Sequence, residues 1–163
     1  KAPFSAGEKV ENPSRENELL PKTAKLRSHL YFVDVNHQFL RAEERILLQQ
    51  DSVVEDAKSL INALIQGPKS SLVPTLPEEA RLLALHVTED AVAYVDFDTA
   101  VREKHPGGVL TEFFSIFSIV NTLALNLEEV DQVKILIDGN EAKTLAGHID
   151  IRFPFRPNVL MIK

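Results

Sequence analysis

The 163 residues suit a single domain, and 44% hydrophobic with 26% charged residues is ordinary for a globular protein. There is no cysteine, which removes disulfides, thiolate chemistry and cysteine-held metals together. The net charge of −6 is uneven, with six Lys/Arg against four Glu in residues 1–28 and twelve against twenty acids in residues 29–163, and so acidic a body argues against nucleic acid, whose phosphates need a basic face.

Residues 1–28 carry Pro3, Pro13 and Pro21, many charges and no sustained periodicity, and are expected to form a disordered tether. The aromatic and branched run His29-Leu30-Tyr31-Phe32-Val33 opens the folded part as a strand. Asp34 to His37 supplies turn residues, Gln38–Arg41 returns as a hairpin partner, and Arg45–Leu48 reads as a further short strand. Ser52 and Glu55 form a capping box, followed by a helix whose apolar face is Ala57, Leu60, Ile61, Leu64 and Ile65. Gly67-Pro68 ends it, and Pro74 and Pro77 punctuate the loop beyond. Arg81–Val87 and Ala91–Phe97, joined across Glu89-Asp90, read as an antiparallel hairpin.

His105-Pro106-Gly107-Gly108 then leads into Val109–Leu127, with one formal charge, Glu112, and apolar residues around most of a helix circumference. This is a helix buried on nearly all sides, around which the domain is organised. Thr111, Ser115, Ser118 and Thr122 recur at spacings of four, three and four, a single narrow stripe. All are small, so the stripe is expected to be buried against the sheet or an adjoining loop, with Ser118 the most enclosed. Asn121, beside the stripe, is expected to bond loop backbone near Gly147-His148. Gln132–Ile137 is a strand ending in the turn Asp138-Gly139, and the remainder is a tail with one short strand. The fold class is α+β, with two helices on one face of a mostly antiparallel sheet, in the order β-α-β-β-α-β with an extra N-terminal hairpin. The domain limits are 29–155, with 156–163 as a C-terminal tail.

The chemistry-bearing patterns are sparse. None of His29, His37, His86, His105 and His148 has a histidine at helical metal spacing, and no phosphate-loop, dinucleotide, nucleophile-elbow or zinc-protease motif occurs. Asp96 and Asp98 point to one strand face, where capping of the next turn outweighs cation binding. Gly107 and Gly108 stand at a helix start that could hold an anion, but a sharp turn into a buried helix is the favoured explanation. No enzyme, cofactor or metal is expected.

The string Ser118-Ile119-Val120-Asn121-Thr122-Leu123, preceded by His105-Pro106-Gly107-Gly108, closely resembles the signature of the GerM domain of bacterial sporulation and germination proteins. The start at His29-Leu30-Tyr31-Phe32-Val33-Asp34, Val92–Phe97, Val133–Gly139 and Leu145–Asp150, with Gly147 and His148, extend the resemblance over about residues 29–155. Asp98 replaces a usual serine and Ala91 a common turn glycine. The resemblance implies a non-enzymatic domain outside the cytoplasm, tethered by a lipid or transmembrane anchor expected upstream of Lys1. The resemblance further implies assembly there with other envelope proteins or with a copy of itself. The alternative is a binding module for peptidoglycan glycan or peptide, using a cleft near His105, Gly107, Gly108, Asn121 and His148. Ser118, Thr122, Asp96 and Gly147 are then structural.

Overall fold

The computed structural model describes residues 24–163, so the expected tether lies, up to residue 23, outside the described residues. The first hairpin pairs β1 (Lys25–Val33) with β2 (Leu40–Leu48) as a two-stranded antiparallel sheet. β1 therefore begins four residues before His29, and β2 is one unbroken strand where two fragments were expected. The reason is pairing: Lys25 to Ser28 lie opposite Leu48 to Arg45, so polar residues with little strand propensity are held by the ladder.

α1 (Val53–Gln66) starts as its capping box dictates, with Glu55 N–H donating to Ser52 Oγ at 3.2 Å. It buries Ala57, Leu60, Ile61 and Leu64 and ends at Gly67, whose φ of 88° only glycine adopts without strain. β3 (Leu82–Val87) and β4 (Val92–Phe97) form the expected antiparallel hairpin, turned by Thr88 to Ala91. Ala91 there has φ 63°, the left-handed region that favours glycine. A short helix, α2 (Ala100–Glu103), follows, and then α3 (Val109–Asn126) carries the chain to β5 (Gln132–Ile137). β5 pairs parallel to β4, and the two-residue β6 (Asn140–Glu141) closes the sheet in the order β3-β4-β5-β6. Sheet, hairpin and helices together are the α+β architecture with its added N-terminal hairpin.

α3 is long and apolar enough to cross a membrane by composition, yet it forms the core instead. Its residues from Phe114 to Leu123 are buried without interruption. Ile116, Ile119 and Leu123 meet the core that Phe32, Ile61, Leu64, Phe97 and Ile135 fill from both sheets and α1. Beyond β6 the chain crosses back over the body, with isolated bridges between Val133 and Phe155 and between Leu40 and Ile162. A 3-10 turn, Val159–Met161, buries Met161, so these last residues pack on the domain rather than trail from it.

Candidate functional site

The polar residues of α3 explain how a helix so apolar is fixed in place. A strand has two edges, and the β1 edge that faces away from β2 lies along α3. His29, Tyr31 and Val33 turn their backbone groups to this edge. Asn126 takes both groups of His29, accepting its N–H at 2.9 Å and donating to its carbonyl at 2.7 Å. Thr122 Oγ1 accepts Tyr31 N–H at 3.2 Å, Ser118 Oγ donates to Tyr31 carbonyl at 2.6 Å, and Val33 pairs with the backbone of Val73. Residues 118, 122 and 126 recur every four positions, a rise of roughly 6 Å, close to the roughly 6.7 Å that separates outward-facing residues on a strand. The side chains of α3 thus stand in for a third strand, and every buried group of that edge is bonded.

The hydroxyl stripe is buried as expected at Ser115, Ser118 and Thr122, with Ser118 and Thr122 wholly enclosed, whereas Thr111 at its N-terminal end is exposed. Ser118 Oγ also lies 2.6 Å from Thr75 Oγ1, tying in the loop before β3. Asn121 departs from the expectation. It is fully buried, but its amide brackets Asn158, accepting the N–H at 2.8 Å and donating to the carbonyl at 3.1 Å. It holds the C-terminal segment, not the Gly147-His148 loop.

That loop belongs to Glu112, which the pattern along the helix showed only as a lone charge. Its carboxylate is fully buried and accepts the backbone N–H groups of Ala146 (2.9 Å), Ile149 (3.1 Å) and His148 (2.9 Å), with His148 Nδ1 at 3.1 Å. Burial alone would raise its pKa, but the donors from Ala146, Ile149 and His148 prevail and hold the carboxyl below its usual 4.5. The available signal was the charge itself: one acid inside an apolar helix must find donors or pay several kcal/mol, roughly, in desolvation. Gly147, at the tip of the loop, takes φ 108°. A second, partly buried charge without a signal in the sequence pattern is Glu43 on β2. Desolvation is overcome by Lys69 N–H, the Ser70 hydroxyl and N–H, and Arg45, and its pKa falls to about 2. Together Glu43 and Arg45 pin the loop after α1, with Arg45 donating to Gly67 carbonyl at 2.9 Å.

His105 closes the other end of α3. Gly107 N–H donates to His105 Nδ1 at 3.0 Å, so the neutral ring carries its proton on Nε2. Nε2 donates to Ser115 Oγ at 2.9 Å, and Ser115 Oγ donates to Thr75 carbonyl at 2.6 Å. A general base would need a lone pair facing the serine, and this tautomer presents a proton. Burial holds His105 below its usual 6.5, partly countered by the charge of Glu112. Gly107 and Gly108 have φ 83° and 91°, which let the chain reverse within two residues to bring His105 back onto the helix. Asp96 Oδ1 accepts Gly139 N–H at 2.9 Å and Asp98 Oδ1 accepts Arg81 N–H at 3.0 Å, so the two acids cap different turns. Among the described residues no three His, Asp or Glu side chains are grouped to hold a metal.

Of the residues expected to line one cleft, Asn121 stands apart on Asn158, whereas His105 and His148 both neighbour Glu112. Glu112 and Asn121 are nine positions apart, about 180° around the helix, so His148 and Asn121 serve opposite faces. Beside His105 lies a partly open cavity of about 250 Å³, walled by Val33, Pro74, Pro106, Leu110 and Phe114.

The family model Germane, described as sporulation and spore germination, matches residues 29–143. The chain belongs to the Germane family. The solved structures similar to this Germane domain include a candidate lipoprotein from Clostridium perfringens, 26% identical, with a TM-score of 0.59 over 82% of this chain and 88% of that one. The first GerMN domain of the sporulation protein GerM from Bacillus subtilis is 21% identical, with a TM-score of 0.60 over 82% of this chain and 97% of that one. The tandem GerMN domains of the same protein give 0.64 at 21% identity, over 80% of this chain but 46% of theirs, and show likeness of fold. No curated protein matches the chain.

Proposed function

We propose that this Germane domain is a non-enzymatic module of the cell envelope, outside the cytoplasm, that acts by binding other envelope proteins. Family membership and the likeness to a candidate lipoprotein support the location, including attachment by an N-terminal lipid or membrane anchor. The observation that carries the non-enzymatic reading is the use made of the polar residues around α3. Glu112, His105, Ser118, Asn121 and Thr122 each spend their hydrogen bonds on backbone or scaffold groups of this chain, and no buried side-chain N or O among the described residues is left unpaired. Groups so engaged hold loops; they are not free to bind or activate a substrate.

The test uses the full-length protein in its native cells. Fractionation should find it with the envelope, and photo-crosslinking from surface positions should trap envelope proteins. Sedimentation of the purified domain with peptidoglycan, or turnover of that material lost on changing His105, would overturn the reading.

A further inference from the structure

The β1–β2 hairpin has one edge closed and one open. In an antiparallel pair, a residue that turns its backbone groups away from its partner strand sits opposite one that does the same on the other side. His29, Tyr31 and Val33 face α3 in this way, and the register pairs them with Glu44, Ala42 and Leu40. Arg27 is paired with Ile46 and Lys25 with Leu48 in the same phase. The outward groups of β2 are therefore those of Leu40, Ala42, Glu44, Ile46 and Leu48. Leu40 carbonyl accepts Lys163 N–H at 3.0 Å, and Leu48 carbonyl accepts the Gln50 side chain at 2.9 Å. Between them the N–H and carbonyl groups of Ala42, Glu44 and Ile46 have no partner among the described residues.

Folded proteins usually blunt such an edge with charged side chains, a bulge, a proline or brevity, and of these β2 has only charge. β3 has a bulge between Leu82 and Ala84 and β6 is two residues long, but β2 runs nine residues in continuous register with neither bulge nor proline. Its exposed face adds Ile46 and Leu48, both about half exposed, around the single acid Glu44. Among the described residues Glu44 has one ion-pair partner, Arg27 at 3.5 Å, and both side chains are more than half exposed, which leaves the carboxylate accessible.

We propose that the Ala42–Ile46 edge of β2 docks an extended segment of another protein, which adds as a third strand with a basic residue opposite Glu44 and apolar residues beside Ile46 and Leu48. This names a surface for the interaction role proposed above and rests on it. The unpaired groups, spaced at the strand repeat, require extended backbone. The charge selects against a second copy: in antiparallel registers centred on residues 43, 44 or 45, Glu44 lies opposite or diagonal to its own counterpart.

The probe is a blocked decapeptide alternating threonine and valine with one central lysine, compared with the same peptide carrying glutamate there. The lysine peptide should shift the backbone amides of Ala42, Glu44 and Ile46 in NMR spectra of the domain and slow their exchange. It should bind roughly three- to tenfold more tightly than the glutamate peptide, and Glu44→Lys should reverse that order. Ile46→Pro, which deletes one outward N–H on an edge strand, should abolish capture without changing the circular dichroism spectrum. Equal binding of both peptides, shifts confined to other residues, or self-association through these amides at millimolar concentration would overturn the proposal. Capture by the edge together with an absence of envelope crosslinks in cells would retain the edge and reject the broader role. Crosslinks without capture would do the reverse.

Discussion

Replacing Glu112 with glutamine tests whether one buried carboxylate holds the loop from Thr144 to Asp150. The side chain keeps its shape and loses its charge and one acceptor. With the amide nitrogen at the Oε2 position, the His148 N–H faces a donor, while Ala146 and Ile149 still find a carbonyl oxygen. Hydrogen bonds to a charged group contribute about 1.5–3 kcal/mol each and neutral ones about 0.5–1.5. Two weakened bonds and one lost bond sum to about 3–6 kcal/mol. The loop backbone is partly exposed, and water will recover some of this, so the expected loss is about 2–4 kcal/mol. Urea denaturation would read it as a lower midpoint at unchanged slope, and hydrogen exchange should quicken at the amides of Ala146, His148 and Ile149. The pH dependence supplies a second reading. The folded carboxyl lies below its usual 4.5, so its stabilisation is complete above that value and is lost as pH falls through the folded pKa. Glu112→Gln should remove that share of the acid sensitivity. A change below about 0.5 kcal/mol, within the scatter of ordinary surface substitutions, with the three amides exchanging as before, would refute the assignment.

Ser118→Leu should cost at least about 2 kcal/mol in urea denaturation, because it overpacks an enclosed site and leaves Tyr31 carbonyl without its donor; unchanged stability would place the stripe outside the core. Asn121→Ala should cost about 1–3 kcal/mol and speed proteolysis after residue 155, since Asn158 loses both bonds. Ala91→Gly should stabilise by about 0.5–1 kcal/mol, as glycine relieves the positive φ at a small entropic penalty. For His105 the folded pKa lies below 6.5, so its stabilisation is present above 6.5 and is lost as pH falls toward the folded value. The stability difference between pH 7.5 and 5.5 should shrink in His105→Asn, and an equal difference in both proteins would contradict the neutral ring.

Much of this domain is legible in its local sequence. The capping box at Ser52, the Gly67-Pro68 stop, the Asp138-Gly139 turn and the apolar run of α3 are short-range signals, each complete within a few residues. The burial of Ser118 followed from the same kind of reasoning, since only small side chains occupy that line. Tertiary structure alone decided where those side chains bond. The α3 rise of four residues matches two residues of β1, and this match turns Ser118, Thr122 and Asn126 into a strand substitute, a coincidence of two repeats from segments about ninety residues apart in the chain. The partners of Glu112 and Asn121 depended likewise on which loop returns to which side of the helix. A buried carboxylate announces in sequence that it requires donors; only the packed chain determines that Ala146, His148 and Ile149 supply them, because backbone N–H groups carry no sequence signal of their own.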